Sequence, residues 1–286
     1  MSSEQAPPFR PKQCLPPTPA IMKELMGDVS LQVARKLVTL APMVPGSIIL
    51  DNGCGNGVVT EAITEVRKPG EVTIYATDLV PPMAAATTAL AASKGWSEFV
   101  KAEAMPAEAL TFVDNMFTES YNNFLISLAK EPEKVASHIY RTLKPGGVAL
   151  ITTWAELSHE QAVLKANDAT RGSDAFHAYK ARQEWRTASH LKKVLEEAGF
   201  KGENIDISQK EAFLTIENMG RWSNLAWSFL GAPKGPAGGW VEADETRFEE
   251  AVAIFEKGME ADKNVTLDGN GGAKVKMVAH IAVAKK

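Results

Sequence analysis

The sequence of 286 residues is 45% apolar, 23% charged and 7% aromatic, with 31 basic against 35 acidic residues and a formal net charge of −4. Its two cysteines, Cys14 and Cys54, lie far apart in no CxxC spacing, which excludes a secreted disulfide framework and argues against a structural zinc site. The acidic balance gives no electrostatic case for nucleic acid, and no stretch of about 18 apolar residues could span a bilayer. The opening MSSEQAPPFRPKQC lacks the apolar core of a signal peptide, so a cytoplasmic protein with reduced thiols and no bound metal is expected.

Pro7, Pro8, Pro11, Pro16, Pro17 and Pro19 forbid regular structure in the first 20 residues and favour an extended arm. Phe9, Cys14 and Leu15 give that arm apolar anchors with which it could fold over a pocket. From Thr18 onward, helical spacing of Ile21, Met22, Leu25 and Met26, then of Leu31, Val33, Ala34, Leu37 and Val38, predicts two helices broken near Gly27-Asp28.

Strand and helix then alternate. Ser47–Asp51 reads as a strand, Val58 to about Val66 as a helix stopped by Pro69-Gly70, Glu71–Asp78 as a strand and Pro82–Ser93 as a helix. Strands near Glu98–Lys101 and Ser120–Leu125 follow, then a helix over Glu131–Leu143, ended by Lys144-Pro-Gly-Gly147, and a strand over Val148–Trp154. Such alternation predicts an α/β fold with a mostly parallel sheet and helices on both faces. After Trp154 helices dominate, at His159–Arg171, Thr187–Ala198, Glu217–Leu230 and Asp244–Ala261, with strands near Asn204–Gln209 and Lys274–Ala284. The stretch GAPKGPAGG over 231–239 reads as a loop or hinge.

The most informative segment is Ile48-Ile-Leu-Asp-Asn-Gly-Cys-Gly-Asn-Gly57. A hydrophobic strand runs into Asp51, and glycines at 53, 55 and 57 lead into a helix. Glycines let the backbone approach a ligand closely, and a helix start offers free N–H groups. A dinucleotide site would place a third glycine at position 58, which is Val58. Cys54 reads as a small residue in a tight loop and not as a nucleophile.

The D-x-G-x-G-x-G pattern resembles the first motif of class I S-adenosylmethionine-dependent methyltransferases. That resemblance implies a Rossmann-like, seven-stranded, mostly parallel sheet with an added helical substrate cap, and S-adenosyl-L-methionine as cofactor. It organises residues 21–286 as one domain behind the arm of residues 1–20, with 43–154 as the cofactor-binding half and 155–286 as covering helices plus the last two strands. It assigns Asp51, Gly53, Cys54 and Gly55 to the loop, Asp78 to the ribose hydroxyls, Leu79 to the adenine face, Glu103 with Ala104 to the adenine amino group, and Asn122 and Asn123 to the cofactor side of the fourth strand. Gly146 and Gly147 are expected to terminate a helix.

The segment Asn122-Asn-Phe-Leu125 carries no Pro-Pro, which disfavours nucleic-acid amino-methyltransferases and favours a small-molecule acceptor. Thr152-Thr-Trp154, Trp185…His190-Leu-Lys, Leu195-Glu-Glu-Ala-Gly-Phe200, Gly239-Trp-Val-Glu242 and Met277–Lys285 resemble fungal secondary-metabolite methyltransferases of the gliotoxin bis-thiomethyltransferase type. Similar chains act on sulfur, oxygen, nitrogen or carbon. An alternative reading is a pseudo-methyltransferase that uses the same fold for a rearrangement, cyclisation or isomerisation.

A thiol acceptor needs little help from a base, whereas a phenol profits from one. Glu156, His159, Asp174, His177, Tyr179 and His190 are candidates, and His159, closest after the fifth strand, is preferred; His138 and His280 read as structural. Phe124 and Trp154, with Trp222 and Trp227, are the candidate acceptor wall. Met219, Trp222, Ala226 and Phe229 share one helix face, for which a core role is the default.

Overall fold

The computed structural model describes residues 9, 11, 13–16, 18–68, 70–232 and 239–286. Pro7, Pro8 and Pro17 of the expected arm, Pro69 and residues 233–238 of the expected hinge lie outside them.

In chain order the elements are α1 (Pro19–Met26), α2 (Val29–Leu37), β1 (Ile48–Asn52), α3 (Val58–Val66), β2 (Thr73–Asp78), α4 (Pro81–Lys94), β3 (Val100–Ala104), β4 (Phe117–Asn122), α5 (Pro132–Thr142) and β5 (Leu143–Glu156). There follow α6 (Ser158–Arg171), α7 (Ala188–Glu197), β6 (Ile205–Ile216), α8 (Met219–Leu230), α9 (Glu242–Thr246), α10 (Phe248–Glu260), β7 (Val265–Leu267) and β8 (Ala273–Lys285). The sheet has eight strands in the order β3-β2-β1-β4-β5-β8-β6, with β7 on β8. Strands β3, β2, β1, β4 and β5 pair in parallel, and β8 runs antiparallel to β5. This is the expected α/β architecture with one strand more than the expected seven. The additional strand is β7, three residues long and mostly exposed, so it carries no alternation to reveal it.

Among the boundaries that differ from expectation, two concern helices. Helix α5 ends with a cap at Leu143, whose N–H bonds back to Ile139 O, and Lys144–Gly147 is already extended. Gly146 and Gly147 therefore do not terminate the helix. Gly146 N–H donates to Lys286 O and Gly147 O accepts from Lys286 N–H, while a Cβ on Gly147 would lie 2.9 Å from Lys144 O and 3.0 Å from Thr118 O. Close backbone approach, not a helix stop, requires glycine there. The single helix expected over Asp244–Ala261 is two, α9 and α10, with Arg247 non-helical between them.

The chain forms two compact units that interleave in sequence. The first contains residues 29–156, 184–212 and 278–286, the second residues 1–28, 157–183 and 213–277. In the first, Ile49, Leu50, Ile74, Tyr121, Ala149 and Leu150 are fully buried. Near-continuous apolar runs of this kind suit parallel strands covered on both faces. One of its faces carries a core of Phe117, Ile126, Val135, Ile139, Leu191 and Leu195.

In the second unit, a Cβ on Gly258 would come within 2.9 Å of Ala162 Cβ, so α10 and α6 cross closely. Trp222 Nε1–H donates to Leu25 O at 3.1 Å, and its ring lies 5.9 Å from Phe255. Arg171 pairs with Asp244 at 2.8 Å, its guanidinium 5.4 Å from the Trp227 ring and 5.1 Å from that of Trp240. Cys14 is buried, and Ser228 Oγ donates to Gln13 O at 2.8 Å.

Candidate active site

The first unit gathers the glycine loop and the ends of β2, β3 and β4. Gly53, Gly55 and Gly57 have φ of +72°, +54° and +88°, the left-handed region that glycine enters without strain. The turn they form is fixed by Gly53 and Cys54 N–H, which both donate to Thr77 O, at 2.7 and 2.8 Å. Thr87 Oγ1 donates to Gly55 O at 3.0 Å, tying α4 to the loop. A Cβ on Gly53 would meet Leu125 Cδ1 at 2.9 Å, and one on Gly57 would meet Leu90 Cδ2 at 2.9 Å. At Gly55 it would meet nothing within 4 Å, so the loop is open on that side.

Asp51 is 1% exposed, and its Oδ2 accepts from Thr60 N–H at 3.1 Å and from Thr60 Oγ1 at 2.8 Å. Its Oδ1 is buried without a partner. Burial pushes the carboxyl up to about 6, the Thr60 bonds oppose this, and the charge of Asp78 adds to it. Burial, with the charge of Asp51 next, pushes the Cys54 thiol up to about 12, so Cys54 stays a thiol and the reading of it as a small packing residue agrees with its setting.

Asp78 ends β2. Gly55 N–H donates to its Oδ2 at 2.9 Å and Val80 N–H to its Oδ1 at 2.9 Å. Each oxygen retains a lone pair for a further donor. Beside it, Leu79, Val80 and Met83 are 64, 46 and 44% exposed, an apolar group on the surface. Ala104 is the register partner of Asp78, and Glu103 that of Thr77, and both Glu103 and Ala104 are exposed. The glycine loop, Asp78, Leu79 and Glu103 thus lie at adjoining ends of β1, β2 and β3.

Asn122 takes a different place. It is fully buried, its Oδ1 accepting from Asn52 Nδ2 at 2.9 Å while Thr77 Oγ1 donates to Asn52 Oδ1 at 3.2 Å. Its Nδ2 donates to Ser120 Oγ at 3.1 Å. This chain of amides and hydroxyls joins β2, β1 and β4 and holds their ends in register. Asn123 Nδ2 donates to Ser30 O at 3.2 Å, and Thr152 Oγ1 donates to Asn123 Oδ1 at 2.9 Å and accepts from Phe124 N–H at 2.8 Å. Phe124 has φ +57° and stacks on Trp154 at 3.9 Å with 10° between the rings. Both rings are partly exposed, which leaves aromatic surface for a flat partner.

Thr60, Asn52, Thr77, Thr87 and Thr152 are given no site role by the sequence, yet they hold the others. Only Thr60 carries a local signal, a hydroxyl three positions into the helix that follows the loop.

In the second unit, His159 Nε2 lies 2.9 Å from Tyr179 Oη. His177 is buried, bonded through Nε2 to Leu230 O at 2.9 Å, while Tyr179 N–H donates to its Nδ1 at 3.2 Å. Burial holds its pKa below the ordinary histidine value, and through Nδ1, which accepts from the Tyr179 N–H, the ring helps position Tyr179. Trp222 and Trp227 are 3 and 1% exposed and pack inside this unit. In the first unit, His280 is likewise buried, with Nε2 3.0 Å from Arg186 O. Among the described residues no group of three or more His, Cys, Asp or Glu side chains is arranged to hold a metal, and no helix is long and apolar enough to cross a membrane.

The family described as Methyltransferase domain matches residues 50–151, the stretch that carries the glycine loop, Asp78, Glu103 and Asn122. Methyltransferase tpcH of Aspergillus fumigatus is 23% identical over 219 residues, spanning 73% of this chain and 74% of that protein. The structure of a Bacillus halodurans C-125 protein classed as a methyltransferase aligns with a TM-score of 0.59 at 17% identity, over 89% of this chain and 99% of that one. The cyclase SpnF aligns with a TM-score of 0.52 at 17% identity, over 90% of this chain and 81% of its own. At these identities the two structural likenesses extend to the fold.

Proposed function

We propose that this chain, an S-adenosylmethionine-dependent methyltransferase, methylates a small-molecule acceptor at sulfur, oxygen or nitrogen in secondary metabolism. The observation that carries the reading is the Asp78 carboxylate, which clamps Gly55 and Val80 and keeps lone pairs turned to further donors. The fit of the cofactor rests on three features: the open side of Gly55, the buried and unpartnered Oδ1 of Asp51, and the exposed apolar surface of Leu79, Val80 and Met83. Asp78 would hold the ribose hydroxyls, Leu79 would cover the adenine, Glu103 and Ala104 would flank its amino group, and Asp51 would offset the positive end of the methionine portion. When bound, the cofactor supplies a methyl group on a positively charged sulfur as the electrophile.

The chain's own contribution is alignment, exclusion of water and management of one proton. Phe124 and Trp154 offer stacked rings for a flat acceptor, and Asn123 and Thr152 fix the backbone of Phe124. His159 is the base we assign, with Tyr179 as its hydrogen-bonded partner. The lack of a basic excess fits a small acceptor over nucleic acid, and a cytoplasmic location fits the reduced thiols.

The fold also suits a second reading, rearrangement or cyclisation, because a cyclase shares it. Calorimetry with S-adenosylmethionine and S-adenosylhomocysteine tests the cofactor site: micromolar binding is expected, weakened at least about tenfold by Asp78→Ala. Incubation with methyl-labelled cofactor and a panel of thiols and phenols tests the reaction. A product heavier by one methyl supports transfer, and an isomer of unchanged mass supports the second reading. Binding of neither cofactor form would overturn both.

A further inference from the structure

Phe124 lies between two anchored neighbours of the first unit. Asn123 is tied through Nδ2 to Ser30 O of α2 and through Oδ1 to the Thr152 hydroxyl. Leu125 packs under the glycine loop, where a Cβ on Gly53 would meet its Cδ1 at 2.9 Å. Phe124 N–H itself donates to Thr152 Oγ1 at 2.8 Å. That bond keeps the residue at φ +57°, a conformation that a bulky L side chain enters only under constraint. Trp154 is held differently: it sits on β5 in register with Ala279 of β8, and Arg186 Nη1 donates to its carbonyl oxygen at 3.3 Å. Of the two stacked rings, one therefore belongs to a paired strand and the other to the turn after β4.

The stack also differs from the ring contacts in the core of the same unit. Tyr75 with Phe117, Phe112 with Phe117 and Tyr140 with Phe200 meet edge-on, at 66°, 85° and 86°. Phe124 and Trp154 lie at 10° with their centroids 3.9 Å apart, so the rings overlap almost fully. Aromatic pairs prefer an offset or edge contact, because full overlap sets two negative faces against each other. Planes this close admit no third ring, so one face of Trp154 serves either Phe124 or a flat ligand. Covering Trp154 from water does not explain the arrangement, since both rings remain partly exposed.

We propose that Phe124 is a specificity-determining residue that occupies the acceptor's seat: a flat aromatic acceptor displaces its ring from Trp154 and stacks there in its place. This assignment rests on the acceptor reading above and sharpens it, because the seat is the very face of Trp154 that Phe124 covers. The exchange favours an aromatic acceptor, which replaces the lost stack with a better offset one. An aliphatic acceptor unseats the phenyl ring and gains no stacking in return, so it is disfavoured at this point. Thr152 acts as a positioning residue, since its hydroxyl holds the backbone that aims Phe124 at Trp154.

Calorimetry and NOE measurements with naphthol on the isotope-labelled full chain, without cofactor, test the seat separately from methyl transfer. In the ligand-free chain NOEs should join the Phe124 ring to the Trp154 indole, and naphthol should replace them with its own NOEs to Trp154. Phe124→Gly suits φ +57° and uncovers Trp154, so it should bind naphthol at least about tenfold more tightly than the parent chain. Adding Trp154→Ala should abolish that gain, and cyclohexanol should gain at most about twofold. Thr152→Val should raise naphthol affinity about threefold and Thr152→Ser should restore the parent value, a second readout that leaves residue 124 unchanged. Equal or weaker binding by Phe124→Gly, an equal gain for cyclohexanol, Phe124–Trp154 NOEs that persist in the complex, or no naphthol bound by any variant at about 1 mM would overturn the proposal. The expected gain in a chain that binds no S-adenosylmethionine would support the seat and overturn the cofactor reading alone.

Discussion

Asp51 takes both of its hydrogen bonds from Thr60, accepting from the backbone N–H and the hydroxyl on the same oxygen, while its second oxygen stays buried and unpartnered. A carboxylate in this state destabilises the protein that holds it and suits a cation that arrives later. Its folded pKa, about 6, lies above the ordinary aspartate value of 3.8, so the native state binds the proton more tightly than the unfolded one. Stability of the ligand-free chain therefore falls as pH rises from about 4 to about 6 and levels above that, by about 3 kcal/mol from this group. Denaturant titrations across that range should show the slope, and Asp51→Asn should flatten it. At pH 7.5 the same variant should be more stable by about 1 kcal/mol yet bind S-adenosylmethionine at least about tenfold more weakly. A variant that loses both stability and binding would contradict this account.

The glycines of the loop should separate by what surrounds them. Gly57→Ala meets Leu90 and Thr87 at φ +88° and should lose about 2–3 kcal/mol of unfolding free energy. Gly55→Ala faces open space at φ +54° and should lose only about 1 kcal/mol, while filling the side offered to the cofactor. Urea unfolding beside calorimetry should therefore find Gly55→Ala nearly as stable as the parent chain but at least about tenfold poorer in cofactor affinity.

The bond between His159 and Tyr179 predicts a split between acceptors. With a phenolic acceptor, Tyr179→Phe should lower kcat severalfold and leave cofactor affinity unchanged. His159→Asn should lower kcat by about 10²-fold or more with the phenol and by far less with a thiol. Full turnover of His159→Asn on both acceptors would show that alignment alone suffices.

Trp154 stacks on Phe124, a residue held at φ +57° by the hydroxyl of Thr152. Trp154→Ala should raise KM for an aromatic acceptor about fivefold or more, from the loss of stacking worth about 1 kcal/mol, with S-adenosylmethionine affinity retained. Steady-state kinetics with aromatic and aliphatic acceptors would reveal the expected selectivity, and an equal effect on both would remove Trp154 from the acceptor wall.

What could be seen in the sequence was local. Asp51, the three glycines and Asp78 occupy strand ends and a turn, where residue type and spacing determine geometry within a few positions. The environment of Asn122 could not be read, because its partners Asn52 and Thr77 lie on other strands and meet it only through sheet register. Trp222 and Trp227 illustrate the same limit. Helical spacing gave their faces, but the burial of Trp227 depends on Trp240 and Arg171, remote in sequence. Strand β7 escaped detection for another reason: three residues with exposed side chains carry too little pattern to register. The Lys144–Gly147 segment misled because Pro-Gly-Gly signals a break without saying which element it breaks, and here the helix has already ended at Leu143 and the strand has begun.

The interleaving of the two units sets an order of events during synthesis. Residues 278–286 supply the β8 partners of Val148 to Glu156, yet they are made only after every residue of the other unit. While the ribosome is still upstream of position 278, one edge of β5 waits unpaired, with the glycine loop and Asp78 already translated. The unit that would hold the cofactor is thus mostly made early and closed last. A truncation before residue 278 should yield an aggregation-prone chain, not a smaller working enzyme.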